Sequence, residues 1–360
     1  MAPSVLIAAG GTAGHVVPAL AVADALRAEG ARVAFVGGER AERELVPAAG
    51  YELETIAVEG LSRTNPLRAA RALGKAAAAI ATAGRIVGRR SPDAVVGGGG
   101  YVAGPVGAAA LGHRVPLVLT EADSHLGLTN RLLAPFARRV CLAFPIAGRD
   151  GARYRVTGRP GPPPATDRAA ARARFALAED DVCVLVFGGS LGARSINEAA
   201  IEAFADGTYR VLHAAGARDL DALRPRVAAG GRYDLRAYLE RFGEALLASD
   251  LCVARAGGSI FEIAAHGRPA ILVPYPHAAG DHQAANARWM AEHGAAIVIP
   301  DRDLTPARLR ERVDALVGDP ERLEAMGRAS AALARPHAAT DVAAEILAAA
   351  RRPERERAAQ

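Results

Sequence analysis

The stretch IAAGGTAGHVVPALAVADALR, residues 7–27, joins an apolar strand-like run to a helical run through a loop of glycines, threonine and histidine. Glycines let backbone amides approach a ligand closely, and the start of a helix favours an anion. The loop therefore fits a phosphate site, although an ordinary strand-to-helix turn explains it equally well when it is considered alone. It matches neither the Walker pattern nor the dinucleotide pattern G-x-G-x-x-G.

The same alternation of short apolar runs and helical patterns continues along the chain, for example in ARVAFVGG and PDAVVGG. Apolar strands that alternate with helices are typical of parallel sheets covered on both faces. The sequence therefore predicts an α/β protein of two doubly wound, Rossmann-like domains that face a cleft. Ligands of such sheets bind beyond the carboxyl ends of the strands.

The alternation is interrupted at GRPGPPPAT, residues 158–166, because its prolines fit neither a helix interior nor a central strand. A domain boundary is predicted there, with one domain over 1–160 and the other over 161–360. The second domain restarts with VCVLVFGGS and ends in helical patterns. Its last helix either packs on the second domain or packs back on the first domain.

Composition excludes several classes of protein. The net charge of +5 suits anionic ligands such as phosphates better than a nucleic-acid-coating role. Cys141, Cys183 and Cys252 are far apart in apolar runs, which predicts buried thiols rather than disulfides or a zinc site. No basic segment precedes the first apolar run, and no apolar run reaches the roughly eighteen residues of a membrane span. We therefore expect a reducing, cytoplasmic compartment.

Two further glycine loops follow predicted strands. In GGGGYVAGP, residues 97–105, Tyr101 either lines a pocket or plugs the turn. In FGGSLGARSIN, residues 187–197, Ser190 is placed to bond a phosphate together with the start of a helix. The pattern strand-Gly-Gly-Ser/Thr-x-Gly-helix thus occurs once in each domain, and the pair favours phosphate binding over two ordinary turns.

The densest polar segment is RAGGSIFEIAAHGRPAILVPYPHAAGDHQAANA, residues 255–287. Glu262 lies one turn into a helix, where it either accepts ribose hydroxyls or compensates the helix N-terminus. Five polar residues follow the next strand: His277, Asp281, His282, Gln283 and Asn286. Their spacing fits no common metal signature, so they favour recognition of sugar hydroxyls over a metal site.

Taken in order, the motifs GGTAGH, GGYVAGP, GLTNRLLA, GGSLGARSIN and RAGG…EIAAHGRPAILVPYPHAAGDHQAANA resemble those of the MurG family of bacterial glycosyltransferases. The resemblance implies the GT-B fold and inverting transfer of N-acetylglucosamine from UDP-N-acetylglucosamine to lipid I, the undecaprenyl-pyrophosphoryl muramoyl-pentapeptide. The product is lipid II, for peptidoglycan synthesis, cell shape and division. The resemblance implies that the reaction needs no metal or other cofactor and that the protein binds no nucleic acid. It also implies a peripheral position on the cytoplasmic face of the cell membrane.

The resemblance also assigns roles to single residues. Thr12, Ala13 and Gly14 would border the donor and acceptor diphosphates, with His15 beside them. Ser190 would hold a donor phosphate, Leu239 would meet the uracil through its backbone, and Glu262 would hold the ribose. His282 and Gln283 would contact N-acetylglucosamine. Tyr101 and Asn130 belong to matching segments and are counted with the substrate-binding residues.

Three departures from the family pattern weaken the assignment of the donor site more than that of the fold. Residues 120–123 read Thr-Glu-Ala-Asp instead of His-Glu-Gln-Asn, so Asp123 replaces the donor-contacting asparagine. The interdomain Gly-Asn-Pro-Val-Arg becomes GRPGP, in which Pro162 replaces the arginine and Arg159 is a nearby charge. The segment 255–262 is one residue short.

The acceptor hydroxyl needs a base, and the sequence offers His15, Glu121 and Asp123. We favour His15 because an imidazole titrates near neutral pH, while the geometry that decides the choice lies beyond the sequence.

A lipid-linked acceptor requires contact with an anionic inner-membrane surface, for which the segment 65–90 is a candidate. Its Leu73, Ile80 and Val87 repeat every seven residues, and its basic side chains occupy another arc: Arg68, Arg71, Lys75, Arg85 and Arg89. A crossover helix docked on the sheet is the favoured alternative for the apolar stripe.

Three other functions remain open at this point. The first is another GT-B UDP-sugar transferase that acts on a glycolipid or a secondary metabolite. The second is a UDP-sugar epimerase on the same fold. The third is a non-catalytic nucleotide-binding protein, which would bind UDP-sugar tightly without turnover.

Overall fold

A computed structural model describes residues 2–58, 66–189, 191–228 and 231–351, with side chains throughout except at 66–76 and 279. The chain divides into two compact units. Unit 1 comprises Met1–Pro162 and His337–Gln360, and unit 2 comprises Pro163–Pro336. The chain therefore leaves unit 1 after Pro162 and returns to it for the last helix.

Unit 1 contains a seven-stranded sheet in the order β3-β2-β1-β4-β5-β6-β7, with every neighbouring pair parallel. Its strands are β1 Ser4–Ala8, β2 Arg32–Gly37, β3 Glu52–Thr55, β4 Ala94–Gly97, β5 Leu117–Glu121, β6 Arg139–Leu142 and β7 Tyr154–Val156. Its helices are α1 Ala13–Ala28, α2 Ala41–Ala48, α3 Pro66–Arg90, α4 Ala103–Gly112, α5 Leu128–Leu133 and, from the end of the chain, α14 Ala338–Ala350.

The central strand β1 is buried on both faces, which is why its sequence is apolar throughout rather than alternating. Val5 and Ile7 pack into one core cluster, which includes residues of α1 and α14. Leu6 and Ala8 point to the opposite face and pack into a second cluster, with residues of α3 and α4. The sheet is thus covered on both sides.

The last helix, α14, belongs to the core of unit 1. Val342 and Ile346 are fully buried in the same cluster as β1. Glu345 forms ion pairs with Arg139 at 2.7 Å and with Arg155 at 3.5 Å, on strands β6 and β7. The C-terminal helix therefore completes a core that the first 162 residues begin.

Unit 2 repeats the arrangement with a six-stranded parallel sheet in the order β10-β9-β8-β11-β12-β13. Its strands are β8 Cys183–Phe187, β9 Arg210–Ala214, β10 Tyr233–Arg236, β11 Leu251–Ala254, β12 Ala270–Leu272 and β13 Ala296–Val298. Its helices are α6 Arg168–Arg174, α7 Arg194–Ala203, α8 Ala217–Leu223, α9 Phe242–Ala248, α10 Ile260–Ala265, α11 His282–Glu292, α12 Pro306–Val317 and α13 Pro320–Ala332.

The strand order reverses between β1 and β4 in unit 1 and between β8 and β11 in unit 2. In parallel sheets such reversals open a crevice at the carboxyl ends of the strands. The predicted glycine loops follow β1, β4 and β8, so they lie at these two positions. The predicted fold class, two parallel α/β units, is confirmed.

Helix α3 docks on the core through the half whose side chains are described. Ala79, Ala83 and Val87 are buried, whereas Ile80 is 41% exposed. The predicted seven-residue stripe is therefore not one uniform surface, because Val87 packs in the core. Leu73 and three of the predicted basic residues, Arg68, Arg71 and Lys75, lie outside the described side chains.

The three cysteines are free and buried, as predicted, and burial raises the pKa of each thiol to about 12. Among the described residues, the longest apolar helical stretches fall short of what a bilayer crossing requires.

Candidate active site

A cavity of about 200 Å³ opens at the carboxyl ends of β1, β4 and β5 in unit 1. Two glycine loops contribute to its wall, at Gly14 and at residues 98–100, together with His15 and Asp123. Further polar lining residues are Thr120, Glu121, Thr129, Asn130, Thr157 and Arg159. All three candidates for the base therefore line the same cavity.

The loop after β1 is held by a carboxylate that the sequence motifs did not reveal. Glu42, in the first turn of α2, is fully buried, and its oxygens accept hydrogen bonds from the Gly11 and Gly38 amides, both at 2.8 Å. The Gly11 amide is thus committed to the protein. The sequence gives no signal of this role, because an acidic residue early in a helix is usually a solvated capping charge.

Thr12 and Ala13 form the entry to α1. The Thr12 carbonyl accepts hydrogen bonds from the amides of His15 and Val16 at 3.0 and 3.2 Å, and Ala13 is the first helical residue. The helix thus begins at Ala13, so its N-terminus lies directly at the glycine loop.

His15 packs its ring against Gly99 of the second loop. A Cβ at Gly99 would lie 2.7 Å from His15 Nδ1, and the φ of +99° at this position also favours glycine. Burial lowers the pKa of His15, the charge of Arg159 lowers it further, and the charge of Asp123 opposes both. The imidazole is therefore neutral at pH 7, which is the form that accepts a proton.

Glu121 is committed to its own loop. Its carboxylate accepts hydrogen bonds from the amides of Asp123 at 3.1 Å and Gly127 at 2.8 Å, and from Asn130 Nδ2 at 2.9 Å. Burial raises the pKa of Glu121, while these hydrogen bonds lower it. Asn130 also donates to the Thr120 carbonyl at 2.9 Å, so it fixes this loop from within. The geometry favours His15 or Asp123 over Glu121 as the base.

Arg159 reaches the same cavity from the segment after β7. Its Nη2 donates to the Gly14 carbonyl at 2.6 Å, which places the guanidinium at the first turn of α1. Among the described lining residues, Arg159 is the only lysine or arginine.

Tyr101 lies beside the first glycine loop. Cβ atoms built on Gly11 and Gly38 would lie 3.3 and 3.2 Å from its ring and hydroxyl, respectively, and the Arg40 guanidinium is 5.4 Å from the ring centroid. Of the two predicted roles of Tyr101, this packing favours the plug over the pocket wall.

The glycine loop of unit 2 is pressed against the end of β9. Gly192 has a φ of +72°, and a Cβ there would lie 2.0 Å from the carbonyl oxygen of Ala215. Gly189 in the same loop also has a positive φ, +91°, but no described atom lies within 4 Å of its Cβ position. Ser190 lies outside the described residues.

A buried network behind this loop was not predicted. Asn197 of α7 donates to the Ala215 carbonyl at 2.9 Å and to Asp219 at 3.2 Å, and its Oδ1 lies 3.0 Å from His213 Nε2. His213 Nδ1 lies 2.8 Å from the Tyr233 hydroxyl. Burial lowers the pKa of His213 to about 3, so the ring is neutral. The network fixes the carbonyl against which Gly192 packs.

Arg255 ties the ends of several strands in unit 2 together. Its guanidinium donates to Ser195 Oγ at 2.8 Å, to Asp301 Oδ1 at 2.5 Å and to the Val273 carbonyl at 3.1 Å. Ser195 also donates to Asp301 at 2.7 Å. The ends of β11, β12 and β13 are thereby braced on the first turn of α7. These partners are far apart in sequence, so no local sequence motif predicts the contacts between them.

The other predicted residues of unit 2 lie in the first turns of helices α10 and α11 or, for Leu239, in a loop. Glu262 is the third residue of α10. Gln283 Oε1 accepts a hydrogen bond from the Tyr275 amide at 2.9 Å, and Gln283 Nε2 lies 3.7 Å from a Cβ built on Gly257, in the loop that leads to α10. His282 begins α11, and Leu239 is buried in the loop between β10 and α9. Gln283 therefore supports the loop that precedes α11, and it also lies near the loop that leads to α10.

Comparison with known proteins matches residues 5–142 to the glycosyltransferase family 28 N-terminal domain and residues 183–342 to the C-terminal domain of that family. The chain is 40% identical to the UDP-N-acetylglucosamine--N-acetylmuramyl-(pentapeptide) pyrophosphoryl-undecaprenol N-acetylglucosamine transferase of Moorella thermoacetica, over 95% of this chain and 98% of the relative. It is 41% identical to the transferase of the same name from Halorhodospira halophila, over 94% and 96%.

Among solved structures, MurG of Acinetobacter baumannii superimposes with a TM-score of 0.77 at 30% identity, covering 97% of this chain and all of that chain. A putative UDP-N-acetylglucosamine 2-epimerase from Listeria monocytogenes superimposes with a TM-score of 0.70 at 14% identity, over 97% and 96%. The second likeness shows that the fold is shared by transferases and epimerases, so the fold alone does not decide the reaction.

Proposed function

The chain belongs to glycosyltransferase family 28, and from this premise we propose that it transfers N-acetylglucosamine from UDP-N-acetylglucosamine to lipid I, forming lipid II for peptidoglycan. The observation that carries the proposal is the 40% identity over 95% of the chain to transferases whose name states this reaction. The cavity of unit 1 supports it with a neutral imidazole beside a carboxylate and a guanidinium.

We assign the acceptor to unit 1 and the UDP-sugar to unit 2. In unit 2, the glycine loop braced by Asn197 would hold the donor phosphates, with Ser190 in that loop. Glu262 would accept the ribose hydroxyls, Leu239 would meet the uracil, and His282 and Gln283 would contact the sugar. In unit 1, residues 12–14 would border the acceptor diphosphate.

The proposed step is a direct displacement with inversion. The acceptor hydroxyl oxygen bonds to the anomeric carbon of N-acetylglucosamine while the bond from that carbon to the diphosphate oxygen breaks. His15 takes the hydroxyl proton, and UDP leaves with the electron pair. Backbone amides at the start of α7 would stabilise the charge that develops on the leaving group.

A transfer assay with UDP-N-acetylglucosamine and a lipid I analogue, run with and without EDTA, tests this function. We expect lipid II analogue to form at the same rate in both conditions. Formation of UDP-N-acetylmannosamine without transfer would identify an epimerase instead. Transfer only to other acceptors would identify a different UDP-sugar transferase, and tight binding without turnover would indicate a binding protein.

We expect Glu262→Ala to weaken binding of UDP-N-acetylglucosamine by about 1–3 kcal/mol, because a carboxylate that accepts ribose hydroxyls is lost. Isothermal titration of the donor measures the effect. Glu292→Ala, which removes an exposed carboxylate from α11 of the same unit, is the matched control and should keep the affinity. Equal affinities for the two variants would remove Glu262 from the ribose site.

A lipid-linked acceptor requires the protein to work at a membrane, and we propose that it binds peripherally at the cytoplasmic face of the cell membrane. Beyond segment 65–90, one face of α5 and the turn that follows it carries Leu128, Leu132 and Phe136, which are 49%, 63% and 67% exposed. We call this the α5 face. Leu128 also lines the cavity, and Arg131 and Arg138 nearby are exposed. Apolar side chains flanked by arginines suit an anionic bilayer surface.

We expect Leu132→Ser combined with Phe136→Ser to weaken binding to phosphatidylglycerol vesicles by about ten-fold or more, since two large side chains lose their burial in the bilayer. Vesicle co-sedimentation measures the partition. Val156→Ser, which changes a 42% exposed side chain elsewhere in unit 1, is the control. If the double variant and the control partition alike, the α5 face does not contact the membrane.

A further inference from the structure

The cavity of unit 1 carries an excess of carboxylates. Asp123 and Glu121 line it, and Glu42 lies fully buried beneath the glycine loop. A diphosphate that enters such a site meets like charges, which disfavour its binding unless a cation compensates them.

The backbone supplies less compensation than the glycine loop promises from its sequence. The Gly11 amide donates to Glu42 at 2.8 Å, so it does not point at a ligand. The first turn of α1, a helix of 16 residues that begins at Ala13, is one remaining source of backbone compensation beside the cavity. A helix N-terminus carries only about half a positive charge.

Arg159 supplies the positive charge that the carboxylates and a bound diphosphate require. Its guanidinium is held at the first turn of α1 by the 2.6 Å hydrogen bond to the Gly14 carbonyl, and it lines the cavity. A guanidinium presents a planar fork of N–H groups that matches phosphate oxygens, and it stays protonated at any physiological pH.

We infer that Arg159 is the cation that binds the acceptor's diphosphate in unit 1, and this inference rests on the proposed function. It explains how the chain tolerates Pro162, because the positive charge sits three residues earlier in the same segment. The acceptor is chosen over the donor because Arg159, Gly14 and the cavity all lie in unit 1.

The pKa of His15 reports whether an anion is bound in the cavity. The charged groups that face it from neighbouring segments are Arg159, Asp123 and, at the end of β5, Glu121. Removing the guanidinium takes away a positive charge and should raise the pKa of His15. Adding a diphosphate brings negative charge and should raise it too.

The test uses the full chain with Arg159→Gln, Arg159→Lys and, as the control, Arg153→Gln, which changes an exposed arginine of unit 1. Inorganic pyrophosphate is titrated while the imidazole signals are followed by NMR at several pH values. In the wild type and the control, pyrophosphate should raise the pKa of His15. In Arg159→Gln, the pKa should be raised before pyrophosphate is added, and the affinity for pyrophosphate should fall by about ten-fold or more. Arg159→Lys should recover part of that affinity, which separates charge from folding.

Steady-state kinetics then separate the two possible sources of diphosphate. Arg159→Gln should raise KM for the lipid I analogue and leave KM for UDP-N-acetylglucosamine unchanged. Pyrophosphate binding at wild-type affinity by Arg159→Gln would overturn the inference, as would an increase confined to the donor KM. Absence of transfer by the wild type would count against the proposed function, whereas the pyrophosphate titration does not depend on turnover.

Discussion

Replacing His15 with alanine should lower kcat by about 10²–10⁴-fold while UDP binding is nearly unchanged. The imidazole lines the cavity, and burial together with the charge of Arg159 lowers its pKa from 6.5. A base must be deprotonated to act, so kcat of the wild type should fall as the pH drops through that lowered pKa, on the acid side of 6.5. His15→Ala should lose this acid limb, because the titrating group is gone. A pH profile of kcat for both proteins measures the effect.

His113→Ala is the matched control, since it removes a histidine from the end of α4, outside the cavity lining. It should keep both kcat and the acid limb. A His15→Ala enzyme with near-normal kcat and an unchanged acid limb would contradict the assignment. Asp123 would then be the stronger candidate, because the Glu121 carboxylate already accepts three hydrogen bonds.

The second large effect is expected for Gly192→Ala in the loop of unit 2. The new Cβ would overlap the Ala215 carbonyl oxygen at 2.0 Å, and the φ of +72° adds strain for a residue with a side chain. Strain and overpacking together should cost about 2–5 kcal/mol, which lowers the melting temperature by roughly 5–15 °C. Because the loop must move to relieve the overlap, the affinity for UDP-N-acetylglucosamine should fall as well. Calorimetry and donor titration measure the two effects.

Gly189→Ala controls for backbone strain alone. Gly189 has a similar positive φ in the same loop, but its Cβ position is open. The substitution should cost about 1–2 kcal/mol. If Gly189→Ala and Gly192→Ala destabilise the protein equally, the close approach to Ala215 does not hold the loop.

The parts of the fold that the sequence predicted are those with strong local signals. Buried central strands such as β1 and β8 are apolar throughout, and each is followed by glycines that mark the end of the strand. Strands β3 and β10, with sequences ELET and YDLR, carry no comparable signal, because half-solvated edge strands contain polar residues. Their place in the sheet depends on pairing with β2 and β9, which no local pattern records.

The same distinction holds for the candidate site. The segment that follows β1 predicts His15, the family resemblance predicts Gly14 and Asp123, and all three line one cavity. Glu42 and Arg255 were not predicted, because what defines them is a set of partners far away in sequence. Arg255 meets Ser195, 60 residues earlier, and Asp301, 46 residues later. Contacts of this kind are decided by topology, so they appear only once the strands are ordered.

The docking of α14 has a consequence for synthesis of the protein on the ribosome. Val342 both packs in the core beside β1 and lines the cavity that holds His15. A nascent chain in which all of unit 2 has emerged from the ribosome still lacks this helix, so one wall of the cavity stays incomplete until α14 has been made. Unit 2 is contiguous in sequence and has no such dependence. The unit that is made first therefore cannot complete its core until all of unit 2 has been made.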